Sequence, residues 1–156
     1  MSNGMKELCR LSHEMKLQKY PAVPAEWLVK TKYNDRTANG LTRCVIDFLT
    51  FKGWQAERIN STGRIVDDRK TYIDVIGRCK TIGSVQWVKG TTTAGTADIS
   101  ATIAGRSVKI EIKIGADRQS HWQKSYQQLI ERSGGLYFIA KTFQDFYEWY
   151  NQNFEL

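Results

Sequence analysis

Between Thr96 and Ile114 apolar and polar side chains alternate. "TADISATI" puts Ile99, Ala101 and Ile103 on one side, and "SVKIEIKI" does the same with Val108, Ile110, Ile112 and Ile114. Side chains project alternately from the two faces of a strand, so this period of two predicts a strand pair with one buried face. Gly105 and Arg106 are the expected central pair of the turn, with glycine first as a type II′ hairpin prefers. In that register Asp98 stands opposite Lys113, Ser100 opposite Glu111, and Asp98 is a diagonal neighbour of Glu111. Two carboxylates and an ammonium then share the polar face.

Elsewhere the period changes. Leu41, Val45, Phe48 and Leu49 recur at helical spacing after Thr37 and stop at Gly53, and "WQAERIN" then reads as a strand. In residues 61 to 94, "YIDVIG" and "SVQWV" are expected as strands, with "STGRIVDDRK" and "KGTTTAG" as loops. "DRQSHWQKSYQQLIERSGG" predicts a helix with Trp122, Tyr126, Leu129 and Ile130 on one face. Ser120 with Gln123 forms a capping box, and Gly134 and Gly135 end the helix. "LYFIA" reads as a buried strand and "TFQDFYEWYNQNF" as a last helix capped by Thr142. The aromatics Trp122, Tyr126, Phe143, Phe146 and Tyr150 are assigned to packing, and His121 to an exposed helix position. Residues 3 to 18 form a weaker amphipathic helix that must end before Pro21 and Pro24, so residues 1 to 35 are read as an N-terminal arm and 36 to 156 as the main domain. This order of elements predicts the α/β (α+β) class, a mixed sheet flanked by helices.

A chain of 156 residues closes one sizeable core. Cys9, Cys44 and Cys79 lie far apart with no CxxC pair, which argues against zinc and a disulfide framework. With no membrane-length apolar run and no signal peptide, the expectation is a soluble cytoplasmic protein without membrane contact. A net charge of +7 favours a polyanionic partner, nucleic acid first among them.

Charge gives the hairpin two readings. Its polar face is either a solvated outer surface or a cation site, because hard carboxylate oxygens on two strands suit Mg²⁺, with Mn²⁺ as a substitute. A nearby lysine can orient water or stabilise charge on a phosphodiester. Arg58, Asn60, Arg64 and Arg118 are the candidates for phosphate contacts; a strand arginine serves as often as a structural ion-pair partner, and Arg118, at the start of the loop into the Gln123 helix, is the better placed of them. "KGTTTAG" is either a substrate loop or a polar connection, and Asp67, Asp68 and Asp74 are left outside the site.

Asp98, Glu111 and Lys113, with "GTADI", "IEIK", "DRQSHWQ" and "GGLYFIA" in that order, resemble the VRR-NUC branch of the PD-(D/E)XK nuclease superfamily, especially its small phage-type members. The likeness runs from about Thr37 to Tyr150, and "YPAVP" and "RTANGLTRCVIDFLTFKGWQAERINSTGR" look like the leader and first helix of those proteins. The resemblance implies a restriction-endonuclease-like αβββαβ core with a mixed four-stranded sheet. It implies metal ligation by Asp98, Glu111 and the Ile112 carbonyl, water positioning by Lys113, and ordering of the site by Gln123. The implied activity is Mg²⁺-dependent hydrolysis of DNA, selective for branched or flap structures, with a homodimer required to resolve a four-way junction. One departure stands out: where the family has an acidic residue on its first helix, "TANGLTR" offers Asn39 and Thr42, and Asp47 comes later. That departure keeps open a second reading, a nuclease-fold protein that binds nucleic acid or a partner without cutting.

Overall fold

The computed structural model describes residues 1–60, 63–88, 90 and 93–155. Along the chain run α1 (Asn3–Lys19), a 3-10 turn (Ala25–Trp27), α2 (Ala38–Phe51), β1 (Gln55–Arg58), β2 (Arg64–Asp67), β3 (Lys70–Ile73), β4 (Cys79–Ile82), β5 (Val85–Val88), β6 (Ile99–Ile103), β7 (Arg106–Ile112), α3 (His121–Arg132), β8 (Leu136–Ala140) and α4 (Phe143–Phe154). The chain divides into two units: Met1–Ile59 with Ala94–Leu156, and Asn60–Thr93.

The larger unit is a mixed α and β layer structure. Its sheet has the order β1-β6-β7-β8, antiparallel except for the parallel β7-β8 pair. A parallel pair needs a crossover, and α3 supplies it. From α2 to β8 the elements of this unit therefore read helix, three strands, helix, strand. Ile99, Ala101 and Ile103 of β6 and Val108, Ile110 and Ile112 of β7 are buried together with Leu41, Val45, Phe48 and Leu49 of α2 and Phe143, Phe146 and Tyr150 of α4. Phe48 is the hub of this face, meeting Phe143, Phe146, Tyr147 and Tyr150 edge-on with ring centroids 5.1 to 6.0 Å apart. Such pairs add to simple burial because ring edges and faces carry opposite partial charge.

Residues 1 to 35, read from sequence as an arm, contribute to this same core. Met5 and Leu8 of α1 are buried in the cluster, and the Gly4 N–H donates to Gln144 Oε1 at 2.9 Å. The segment after α1 is tied down by Ser12 to Thr31 (2.8 Å), Tyr33 to Asp47 (2.9 Å), and the Phe143 N–H donating to Asp35 (3.1 Å). These are polar tethers between distant parts of the chain, and no local periodicity announces them.

The hairpin differs from expectation in its turn. Ile103 pairs with Arg106, so the two central residues are Ala104 and Gly105, not Gly105 and Arg106. Both have positive φ, +48° and +77°, the signature of a type I′ turn, which matches strand twist at the cost of placing alanine in the left-handed region. The register moves by two residues. Faces are unchanged because the strand period is also two, but the cross-strand partners change.

The smaller unit consists of two antiparallel pairs, β2 with β5 and β3 with β4. "STGRIVDDRK", expected as a loop, contains β2, since Ile65 and Val66 find partners in Trp87 and Gln86. "YIDVIG" is only half strand: the Asp74 carboxylate accepts the Ile76 and Arg78 N–H groups and turns the chain there. Most side chains of this unit are exposed. Lys89, Thr91 and Thr92 of "KGTTTAG" lie outside the described residues.

Candidate cation and phosphodiester site

One face of the four-stranded sheet is apolar; the other carries the charges. Continuing the pairing of Ile99 with Ile110 by one residue sets Asp98 directly opposite Glu111, which replaces the diagonal relation expected from sequence. Ser100 faces Lys109 instead of Glu111, and Lys109 Nζ donates to Ser100 Oγ at 2.5 Å. Asp98 Oδ2 accepts the Ile112 N–H at 2.9 Å, so the carboxylate lies against the backbone of the residue expected to offer its carbonyl.

Glu111 is only 1% exposed and Lys113 7%. Lys113 Nζ lies 3.1 Å from Glu111 Oε1 and 3.4 Å from Asp117 Oδ2. The Lys113 N–H donates to the Ala140 carbonyl at 2.9 Å, fixing the end of β7 to β8. Burial, and after it the nearby Asp98 charge, pushes the Glu111 carboxyl up to about 7, against the opposing pull of Lys113 and Tyr137. Burial works against the Lys113 ammonium, but its bonds to Glu111 and Asp117 outweigh this and hold its pKa above the ordinary lysine value. The site therefore holds more negative charge than its one ammonium neutralises, in a place largely closed to water.

α3 covers this face. Ser120 caps it by accepting the Gln123 N–H at 3.2 Å, while Gln123 Oε1 accepts the Ser120 N–H at 2.8 Å. The Gln123 amide nitrogen then reaches Glu111 Oε1 at 2.5 Å. One side chain serves cap and site together. Gly95, three residues before Asp98, abuts the same helix turn: a Cβ there would lie 2.2 Å from the Trp122 carbonyl oxygen and 2.7 Å from the Gln123 nitrogen, and φ is +81°. No residue of α3 is fully buried. Trp122, assigned from sequence to packing, is 64% exposed, and Leu129 on the same expected face is exposed too. The reason lies beneath the helix: Lys109 and Glu111 occupy that sheet face, and β8 adds only Tyr137 and Ile139 for the helix to cover.

The structure thus brings together Asp98, Glu111, the Ile112 backbone, Lys113 and Gln123. Of the phosphate candidates, it sets Arg58 apart. Arg58 pairs with Ile99 and so stands on the opposite sheet face from Glu111, a correction that follows from the β1 register. Asn60 and Arg64 belong to the smaller unit. Arg118 is exposed on the loop between β7 and α3. Asp47 is committed elsewhere, accepting from Tyr33 and pairing with Arg43 at 3.4 Å, on a helix packed against the apolar face.

Three residues of this face escaped the sequence reading. Tyr137, which pairs with Lys109 in register, donates its hydroxyl toward Glu111 Oε2 at 3.5 Å, and Asp117 flanks Lys113. Glu57 pairs with Ser100 and shares the face of Glu111. The alternation in "QAER" and "LYFIA" places Glu57 and Tyr137 once the strand order is known, whereas Asp117 lies in the loop after β7 and has no such signal.

The donor set fits a hard divalent cation in chemistry: two facing carboxylates, one of them raised by burial and then by the other, beside a backbone turned toward them. Among the described residues no three His, Cys, Asp or Glu side chains gather closely enough to hold a metal. Among the described residues, too, no helix is long and apolar enough to cross a membrane. No model of a known protein family matches the chain. No curated protein matches it in sequence either.

Proposed function

We propose that the protein is a Mg²⁺-dependent nuclease with a restriction-endonuclease-like core, similar to the VRR-NUC branch of the PD-(D/E)XK superfamily. The observation that carries this reading is the buried Glu111 facing Asp98, with Lys113 3.1 Å from the Glu111 carboxylate. A solvated sheet face would leave Glu111 and Lys113 exposed; burying this carboxylate and ammonium beside the half-buried carboxylate of Asp98 is costly and calls for a compensating cation. Support for the fold comes from the helix, three strands, helix, strand order and the mixed four-stranded sheet.

Mg²⁺ held by Asp98, Glu111 and the Ile112 carbonyl would supply Lewis-acid activation of water and neutralise charge on the phosphodiester. Lys113 is held by Glu111 and Asp117 so that its remaining N–H points can meet a non-bridging oxygen or orient the attacking water. Gln123 holds the Glu111 carboxylate in one orientation through its amide nitrogen. In the reaction, water attacks phosphorus, the bond to the leaving oxygen breaks, and that oxygen takes up a proton. Net charge +7 supplies the attraction that brings a polyanion to the acidic site.

A second reading has one observation in its favour. α2 contributes no carboxylate to the site, since Asp47 is bound to Tyr33 and Arg43. A nuclease-fold protein that binds nucleic acid without cutting is consistent with that. Incubation with linear, single-stranded, flap and four-way DNA and with RNA, in Mg²⁺, in Mn²⁺ and in chelator, separates the two. Metal-dependent cuts on any substrate support the nuclease. Salt-sensitive binding with no cut on any of them supports the binder.

A further inference from the structure

Trp122 is the large apolar side chain that the fold leaves beside the site. At 64% exposed it contributes nothing to the hydrophobic cluster, although its neighbour in sequence, Gln123, touches Glu111 at 2.5 Å. An exposed indole forgoes burial worth keeping, so its position next to a site calls for an account. The side chain is also fixed at its base. Its backbone carbonyl lies against Gly95, where even a Cβ would come within 2.2 Å, and the His121 ring meets the indole edge-on with centroids 5.8 Å apart. Adjacent Cα atoms are about 3.8 Å apart, so the indole is carried by the same helix turn whose next residue, Gln123, touches Glu111. Arg118 and Lys124, exposed and without ion pairs among the described residues, flank it in sequence.

We propose that Trp122 is a stacking platform for an unpaired base next to the scissile phosphate, which makes nucleic acid with unpaired bases the preferred substrate class. This rests on the nucleic-acid reading of the site. A base presents its π-face only when it has left the duplex stack, whereas the phosphate contacts of a site like this one are blind to pairing. Stacking on an indole is tolerant of sequence, so the platform selects structure and not a base order. Trp27 is equally exposed, at 74%, but sits on the 3-10 turn with no site residue beside it in sequence, and it serves as the control.

The test is binding in chelator, by fluorescence anisotropy, to a labelled thymidine strand and to a strand of equal length whose bases are replaced by abasic sugars. Wild type should prefer the strand with bases by about five- to a hundredfold, the range that stacking of one base provides. Trp122→Ala should abolish the preference, Trp122→Phe should retain much of it, and Trp27→Ala should leave it intact. All three variants should melt like wild type. Retention of the full preference in Trp122→Ala would overturn the proposal, as would an equal loss on both strands. The readout needs no cleavage. A protein that cuts nothing but loses its base preference with Trp122 would refute the nuclease and keep the platform, whereas one that cuts normally and ignores Trp122 would do the reverse.

Discussion

Gln123 joins a helix cap to a buried carboxylate: its Oε1 accepts the Ser120 N–H at 2.8 Å while its Nε2 donates to Glu111 Oε1 at 2.5 Å. The two bonds fix which end of the amide faces the sheet, because only the nitrogen can donate. Stability and site geometry are therefore coupled at one residue.

Replacing Gln123 should reveal both roles. Gln123→Ala removes half of the capping box and should cost about 1 kcal/mol, or roughly 2–4 °C in Tm for a chain of this size. Gln123→Glu keeps an acceptor for Ser120 but turns an acid toward Glu111, so thermal melting at about pH 8 should show a larger loss than Ala. Cleavage by both variants should fall at least tenfold. Wild-type cleavage by either would assign Gln123 to the cap alone.

The Glu111 carboxyl, raised from 4.5 to about 7 by burial and by Asp98, makes the metal-free protein sensitive to pH. Its folded state binds the proton more tightly than the unfolded chain. This contribution is therefore fully present below the unfolded value and is lost as pH rises through about 7. In chelator, the difference in Tm between wild type and Glu111→Gln should widen in favour of the variant from about pH 5 to about pH 8. Mg²⁺ should raise the wild-type Tm most at the upper end, where the carboxylate is ionised, and should leave the variant unmoved. A difference that does not change with pH would show that the carboxyl is not raised.

Gly95 cannot carry a side chain without moving α3. Gly95→Ala puts a Cβ against the Trp122 carbonyl and forces alanine to φ +81°. Strain at such a position costs on the order of 1–3 kcal/mol. Because the displaced turn holds Gln123, cleavage should fall further than stability predicts, and wild-type levels of both would contradict the close approach.

Lys113 should set the pH at which metal binds. Removing the ammonium in Lys113→Met leaves Glu111 facing Asp98 without its counter-charge, so calorimetric Mg²⁺ binding should require higher pH than in wild type. Asp117→Asn should change little, by less than about 1 kcal/mol, since that pair is exposed at its acidic end. Equal effects from the two variants would mean that the contact to Glu111 has no special weight.

The sequence carried the faces of the hairpin but not its register. Period-two alternation distinguishes Glu111 from Ile110 at any even shift, so the partner of Asp98 depended on the turn, and Ala104 in a left-handed conformation is a poor local signal. Periodicity also located α2, α3 and α4 through their caps and apolar stripes, yet it could not tell that the stripe on α3 meets a polar sheet face. That is why Trp122 is exposed. The integration of α1 was hidden because only Met5 and Leu8 of its apolar residues are buried in the cluster, Leu11 packs against it in part, and the bonds from Gly4 and Ser12 reach partners far along the chain. β2 was missed because its four residues gain strand character from β5, not from their own pattern.

The most direct test of the central claim is the nicking rate of Asp98→Asn against wild type at saturating Mg²⁺, with both proteins verified as folded by their melting curves. The substitution is nearly isosteric and keeps an acceptor for the Ile112 N–H, but it removes one of the two charges that a hard cation needs. The site described above predicts Mg²⁺-dependent cleavage by wild type and a loss of at least a hundredfold in the variant, with metal-free DNA binding equal to or tighter than wild type. Cleavage by Asp98→Asn at the wild-type rate would contradict it and return the charges of the hairpin to a structural role.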